Sequence, residues 1–140
     1  MIKVRTIGML TRDITNPVLT SVSAVKNYDF ITGADGETYL VANTITGDNA
    51  YVDDNTFAAG EYLNGHALRA WVGEQLMVDK KHLTLGSGDT FADVAKNDIF
   101  TIANGGLVAA NAAPQTGYYF VVDEKTRLTE DAVVVTIKKA

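Results

Sequence analysis

Runs of five to eight residues rich in Val, Ile, Thr, Tyr and Phe recur along this chain, bounded by Gly, Asn or Asp, and a helical stripe is hard to find. Branched and aromatic side chains suit a pleated, half-buried surface, and the bounding residues tolerate turn backbone, so the pattern is that of a mainly β chain. Tyr28–Thr32 and Glu37–Ala42 flank Gly33-Ala34-Asp35-Gly36, whose Asp-Gly supplies the positive φ of a hairpin loop. Asp98–Ala103 and Leu107–Ala110, joined by Asn104-Gly105-Gly106, predict a second hairpin. The segment Ala67–Val78 reads as strand, with Gly73 marking a bulge or bend, because a mid-helix glycine costs about 1 kcal/mol. Tyr118–Val122 and Ala132–Ile137 are continuous apolar runs, expected in the middle of a small closed sheet. One short helix is expected over Asp89–Lys96, with Asp89 as N-cap, Phe91, Val94 and Ala95 on one face, and Asn97 closing it.

A length of 140 residues holds one domain with a real core, expected here within residues 60–140. The predicted fold is a single small β-barrel or β-sandwich-like domain over 28–140, with residues 1–27 as an extended N-terminal arm or edge strand. In the arm, short apolar groups are broken by Gly8, Asn16 and Pro17 and by Thr20-Ser21-Val22-Ser23. No run approaches the roughly 20 apolar residues of a membrane helix, and the start lacks the apolar core of a signal peptide, so synthesis in the cytoplasm is expected. With no cysteine, disulfides, thiolate nucleophiles and Cys-type metal sites are excluded. A net charge of −5 argues against a nucleic-acid-binding surface. The charge is uneven: Lys3, Arg5 and Arg12 precede the first acid, while Asp29 to Glu61 contains acids and no Lys or Arg.

Few residues invite chemistry. His66 follows Asn64-Gly65 and His82 follows Lys80-Lys81, so both read as surface residues near strand ends. Ser21, Ser23 and Ser87 match no nucleophile elbow. The exposed acidic loop with Asp48, Asp53 and Asp54 offers hard oxygen ligands, yet its spacing fails the calcium-loop pattern, and a solvated acidic turn is the preferred reading. Gly86-Ser87-Gly88 lacks the third glycine and the lysine of phosphate loops and reads as a turn. No metal or cofactor is expected. Trp71, Tyr118, Tyr119 and Phe120 lie in apolar runs, so most of them are expected in the core, whereas Tyr28, Tyr39, Tyr51 and Tyr62 suit an interface.

Three stretches carry a family resemblance: the arm Met1–Asn27, the segment Phe57-Ala58-Ala59-Gly60-Glu61-Tyr62-Leu63-Asn64-Gly65, and the closing Leu128–Ile137. In them the chain resembles the capsid decoration, or cement, proteins of tailed bacteriophages. That resemblance implies a non-enzymatic virion protein, made in the host cytoplasm, often trimeric, which binds the capsid's outer surface and clamps major capsid subunits. It also implies a terminal arm that adds a strand to the capsid protein, and Lys3, Val4, Arg5, Ile7 and Arg12 are the candidate contacts. Trimer engagement of three equivalent sites would multiply weak contacts by roughly 10²–10⁴ in avidity. The alternative is a tail, neck or receptor-binding β-module holding glycan or protein through exposed aromatics and the acidic loop. A small enzyme with a histidine base ranks last.

Overall fold

A computed structural model describes residues 1–5, 9, 12–16, 18–42 and 55–140. Among these, the early strands are β1 (Ile2–Val4), β2 (Thr15–Asn16), β3 (Val25–Lys26), β4 (Phe30–Thr32), β5 (Thr38–Val41), β6 (Thr56–Phe57) and β7 (Gly65–Ala67). The later ones are β8 (Gln75–Asp79), β9 (Leu83–Thr84), β10 (Ile99–Ala103), β11 (Gly106–Ala110), β12 (Tyr118–Arg127) and β13 (Asp131–Lys139). They form a seven-stranded sheet in the order β1-β8-β13-β12-β10-β11-β9, a four-stranded sheet β2-β7-β5-β4 and the pair β3-β6. The protein is mainly β, and among the described residues its sheets are open and stacked rather than closed into a barrel.

The two long strands sit at the centre of the larger sheet, as their continuous apolar runs require: Ala132 to Val135 of β13 are fully buried. Phe120 and Val122 of β12 point to the same core as Leu76 and Val78 of β8 and Val133, Val135 and Ile137 of β13. The smaller sheet covers this core, with the Phe30 and Phe120 rings 5.5 Å apart. Its β5 and the residue that follows alternate between two faces: Leu40 and Ala42 enter the main core, while Tyr39 and Val41 enter a second cluster with Leu19, Val25, Leu63 and Ala67. Gly65 of β7 is required there, because a Cβ would lie 2.1 Å from a Leu19 methyl.

One local device appears twice. Val41 accepts from the N–H of Tyr28 and donates to the carbonyl of Asp29, and Val122 does the same with Asn97 and Asp98. In each case two residues oppose one and the first has positive φ, 72° at Tyr28 and 74° at Asn97, the geometry of a G1-type bulge. In each the aspartate carboxylate accepts the N–H three residues back, that of Lys26 or Ala95, at 2.9 Å. The device launches β4 and β10, strands that face each other across a cleft. A further bulge at Asp123 in β12 turns its carboxylate toward Gln75 of β8 and Thr136 of β13, tying three adjacent strands.

The hairpins β4–β5 and β10–β11 match the sequence expectation, the second with a two-residue loop at Asn104 (φ 51°) and Gly105 (φ 82°). Four expectations need correction. Ala67–Val78 is not one strand: Leu68–Trp71 is a 3₁₀ turn, Gly73 stands at φ 89°, and β8 starts only at Gln75. The turn allows Leu68 and Trp71 to be buried together, which outweighs strand propensity. The helix expected over 89–96 is a single 3₁₀ turn, Phe91–Asp93, with Thr90 rather than Asp89 at the N-cap in a reciprocal capping box with Asp93. The core is not confined to 60–140, since Met1, Ile2, Met9, Tyr28 and Leu40 are all buried in it. Tyr28 and Tyr39 are each 2% exposed and do not offer interface surface.

Candidate functional site

The first five residues are built into the large sheet. Ile2, Lys3 and Val4 pair with Val78, Met77 and Leu76, so β1 is one edge strand of the sheet. The Met1 amino group lies inside, 2.9 Å from Asp79 Oδ2 and 2.7 Å from His82 Nε2. Asp79 is fully buried and also accepts from the N–H groups of Thr129 and Glu130 and from the Thr129 hydroxyl. A buried charge with this many donors is a structural anchor.

The candidate contact residues divide accordingly. Val4 is 6% exposed and faces the core, Arg5 reaches Glu124 at 3.3 Å, and Arg12 pairs with Glu74. Lys3 is half-buried on β1. Ile7 and the acidic loop with Asp48, Asp53 and Asp54 lie outside the described residues, as does Tyr51. Among the described residues, no group of three or more His, Cys, Asp or Glu is placed to hold a metal.

His66 is not a surface residue. It is 6% exposed in β7, stacked on Trp71 at 5.6 Å, with Nδ1 2.7 Å from Asp13 Oδ2 and Nε2 3.1 Å from the Ala42 carbonyl. An aspartate on Nδ1 is the orienting half of a catalytic triad, but the Nε2 that a nucleophile would approach faces a backbone acceptor instead. The cluster ties three distant segments together, and the Trp71 indole N–H extends it to the Met9 carbonyl at 2.9 Å. His82 is half-buried, with its ring edge-on to Tyr28 at 5.4 Å.

Exposed apolar surface is concentrated elsewhere. The N–H of Leu63 donates to the Leu19 carbonyl and that of Gly60 to Ser21, which lays residues 18–22 alongside 60–63. Val18, Val22 and Tyr62 on these paired segments are 69%, 100% and 75% exposed. Of these, sequence reasoning singled out only Tyr62; the remaining signal was valine amid the Thr20–Ser23 polar stretch.

Two clefts flank β10. One, of about 180 Å³, is lined by Asp89, Asp93 and Asp98, yet Asp93 and Asp98 already accept the N–H groups of Thr90 and Ala95. The other, of about 270 Å³, opens between β4 and the end of β10 and is lined by threonines and Tyr118. No protein-family model matches the chain, and no curated protein or solved structure is significantly similar to it.

Proposed function

We propose that this protein acts by docking on a larger protein assembly and holding it, as a capsid decoration protein does on a phage shell. The observation that supports the reading is the Val18, Val22 and Tyr62 surface on the paired segments 18–22 and 60–63. Full exposure of a branched apolar side chain forgoes the roughly 1.5–3 kcal/mol that burying it supplies, and several such residues on one pair of adjoining segments favour an interaction site. Tyr adds wide contact area at low entropy cost, which suits the centre of a contact. The scaffold beneath is rigid: Leu19 and Leu63 are both buried in the second cluster, so the patch is presented without rearrangement.

Under this reading Val4 of β1 serves the fold, and the Val18, Val22 and Tyr62 surface takes its place at the centre of the capsid contact. Three-fold repetition of a small patch gains its strength from avidity. The test is co-sedimentation with shells of the major capsid protein encoded nearest to this chain. The protein is expected to pellet with shells, and Val22→Asp with Tyr62→Ser is expected to lower shell binding at least a hundredfold while circular dichroism stays unchanged. Wild-type protein left in the supernatant, or a double variant that still pellets, would overturn the proposal.

A further inference from the structure

A second binding site follows from the larger cleft and does not depend on the docking surface. The β10–β12 ladder ends at Thr101 and Tyr119, and the chain entering β12 turns away at Gly117, φ 82°. Among the described residues, β10 itself continues to Ala103 with only β11 beside it. On the other side stands β4, the edge of the smaller sheet, where Ile31 pairs with Tyr39 and Thr32 with Thr38. Since the N–H of Gly33 donates to Glu37 and that of Val41 to Asp29, the alternation of an antiparallel ladder turns the Thr32 peptide groups outward, toward the cleft.

The lining is chemically uniform. Among the described residues the lining includes four threonines that carry a hydroxyl, Thr32, Thr38, Thr101 and Thr116, with Pro114 and Ile102 as apolar surface, and none of its side chains is charged. Lys139, over the Tyr118 ring at 5.3 Å, and Arg69, paired with Glu37 at 3.6 Å, are not part of the lining. An ion entering here would lose hydration without a countercharge. A hydroxyl, by contrast, both donates and accepts, and four of them beside an apolar wall match the alternating O–H and C–H surface of a sugar ring. The volume of about 270 Å³ falls just below the range of sites for drug-sized ligands, which fits one ring.

Tyr118 supplies the second, independent sign. It lines the same cleft, is 9% exposed, and its hydroxyl is buried without a hydrogen-bond partner. Burial, and then the charge of Glu37 on the β4–β5 hairpin side, push its titration up, so it stays a phenol and keeps its proton to donate. An orphaned buried hydroxyl costs stability unless a partner arrives. We propose that the cleft between β4 and the end of β10 binds one neutral, polyhydroxylated sugar ring, with Tyr118 and the four threonines as its hydrogen-bonding partners.

The test is an amide NMR titration of the full chain with glucose, galactose, mannose, rhamnose and N-acetylglucosamine, then with oligosaccharides that end in any sugar that binds, to separate free sugar from a glycan terminus. Inorganic phosphate and AMP serve as charged controls. Shifts confined to 32, 38, 101 and 116–118 are expected with at least one neutral sugar and with neither control. Tyr118→Phe is expected to weaken binding about three- to tenfold, the loss of one neutral hydrogen bond, while raising Tm, because an unpaired buried hydroxyl is removed. Thr101→Val with Thr116→Val is expected to abolish the shifts. Silence with every sugar, a response to the charged controls, or a Tyr118→Phe variant that loses Tm would overturn the site. Shell binding is read separately: a cleft that fails leaves the Val22 surface untouched, and the reverse holds as well.

Discussion

Asp29 precedes one short hairpin and Asp35 lies in its loop, yet their surroundings drive them apart. Burial raises the Asp29 carboxyl above the ordinary range, only partly offset by the Lys26 N–H and charge. The Tyr39 hydroxyl at 2.5 Å, followed by the Glu37 N–H, holds Asp35 below it. The folded state therefore binds the Asp29 proton more tightly than the unfolded chain does, and its contribution to stability declines as pH rises from the ordinary carboxylate value through the raised one. Asp35 has the opposite sign, with a contribution that is complete above the ordinary value and lost as pH falls through the lowered one. Carboxyl carbon NMR should show Asp35 titrating at lower pH than Asp29; the reverse order would mean that Tyr39 does not bond Asp35 in solution. At Asp79 the effect is on packing of charge. Asp79→Ala removes the carboxylate that the Met1 amino group shares with the Thr129 and Glu130 donors, and urea denaturation should read a loss of about 3–5 kcal/mol.

At the scale of elements, the bulge at Asn97 puts a backbone demand on a single position. Asn97 is at φ 74°, where only glycine is free of a Cβ penalty and asparagine is the usual substitute. Asn97→Gly is expected to leave stability within about 0.5 kcal/mol of wild type, whereas Asn97→Val should cost about 1–2 kcal/mol, measured as shifts in the urea midpoint. Equal effects from both would mean that the bulge is not formed. Elements of this kind explain what could be read from the chain. Asp35-Gly36 and Asn104-Gly105 announce hairpins because a positive φ is a local requirement. The 3₁₀ turn at Leu68–Trp71 was illegible, because it forms for the sake of Trp71's contacts with Met9 and His66, the first of them sixty-two positions away. His66 was misread for the same reason: Asn64-Gly65 beside it spells a surface turn, while Asp13 and Ala42, which bury it, lie far off in the chain. Tyr118 reads correctly as a core residue, but nothing in its run distinguishes a satisfied hydroxyl from an orphaned one.

For the molecule as a whole, the smaller sheet is the shared wall of both apolar clusters, since β5 sends alternate residues into each. Neither cluster can open without exposing the other's backing, so unfolding should be one transition. Trp71, the single tryptophan, is fully buried against His66 and bonded to Met9, which makes its fluorescence a reporter on the junction between the sheets. Fluorescence and far-ultraviolet dichroism are expected to give superimposable urea curves; an earlier fluorescence transition would show that the smaller sheet detaches first.

The position of β13 sets a timetable for synthesis. It pairs with β8 on one side and β12 on the other, so the central seam of the large sheet is supplied by residues 131–139. While a ribosome is still adding the residues before 131, β8 and the β10–β12 group have no common neighbour, and their inward faces remain open to water and to other nascent chains. The sheet is therefore completed only after that strand clears the exit tunnel, and unfinished chains must be kept apart until then.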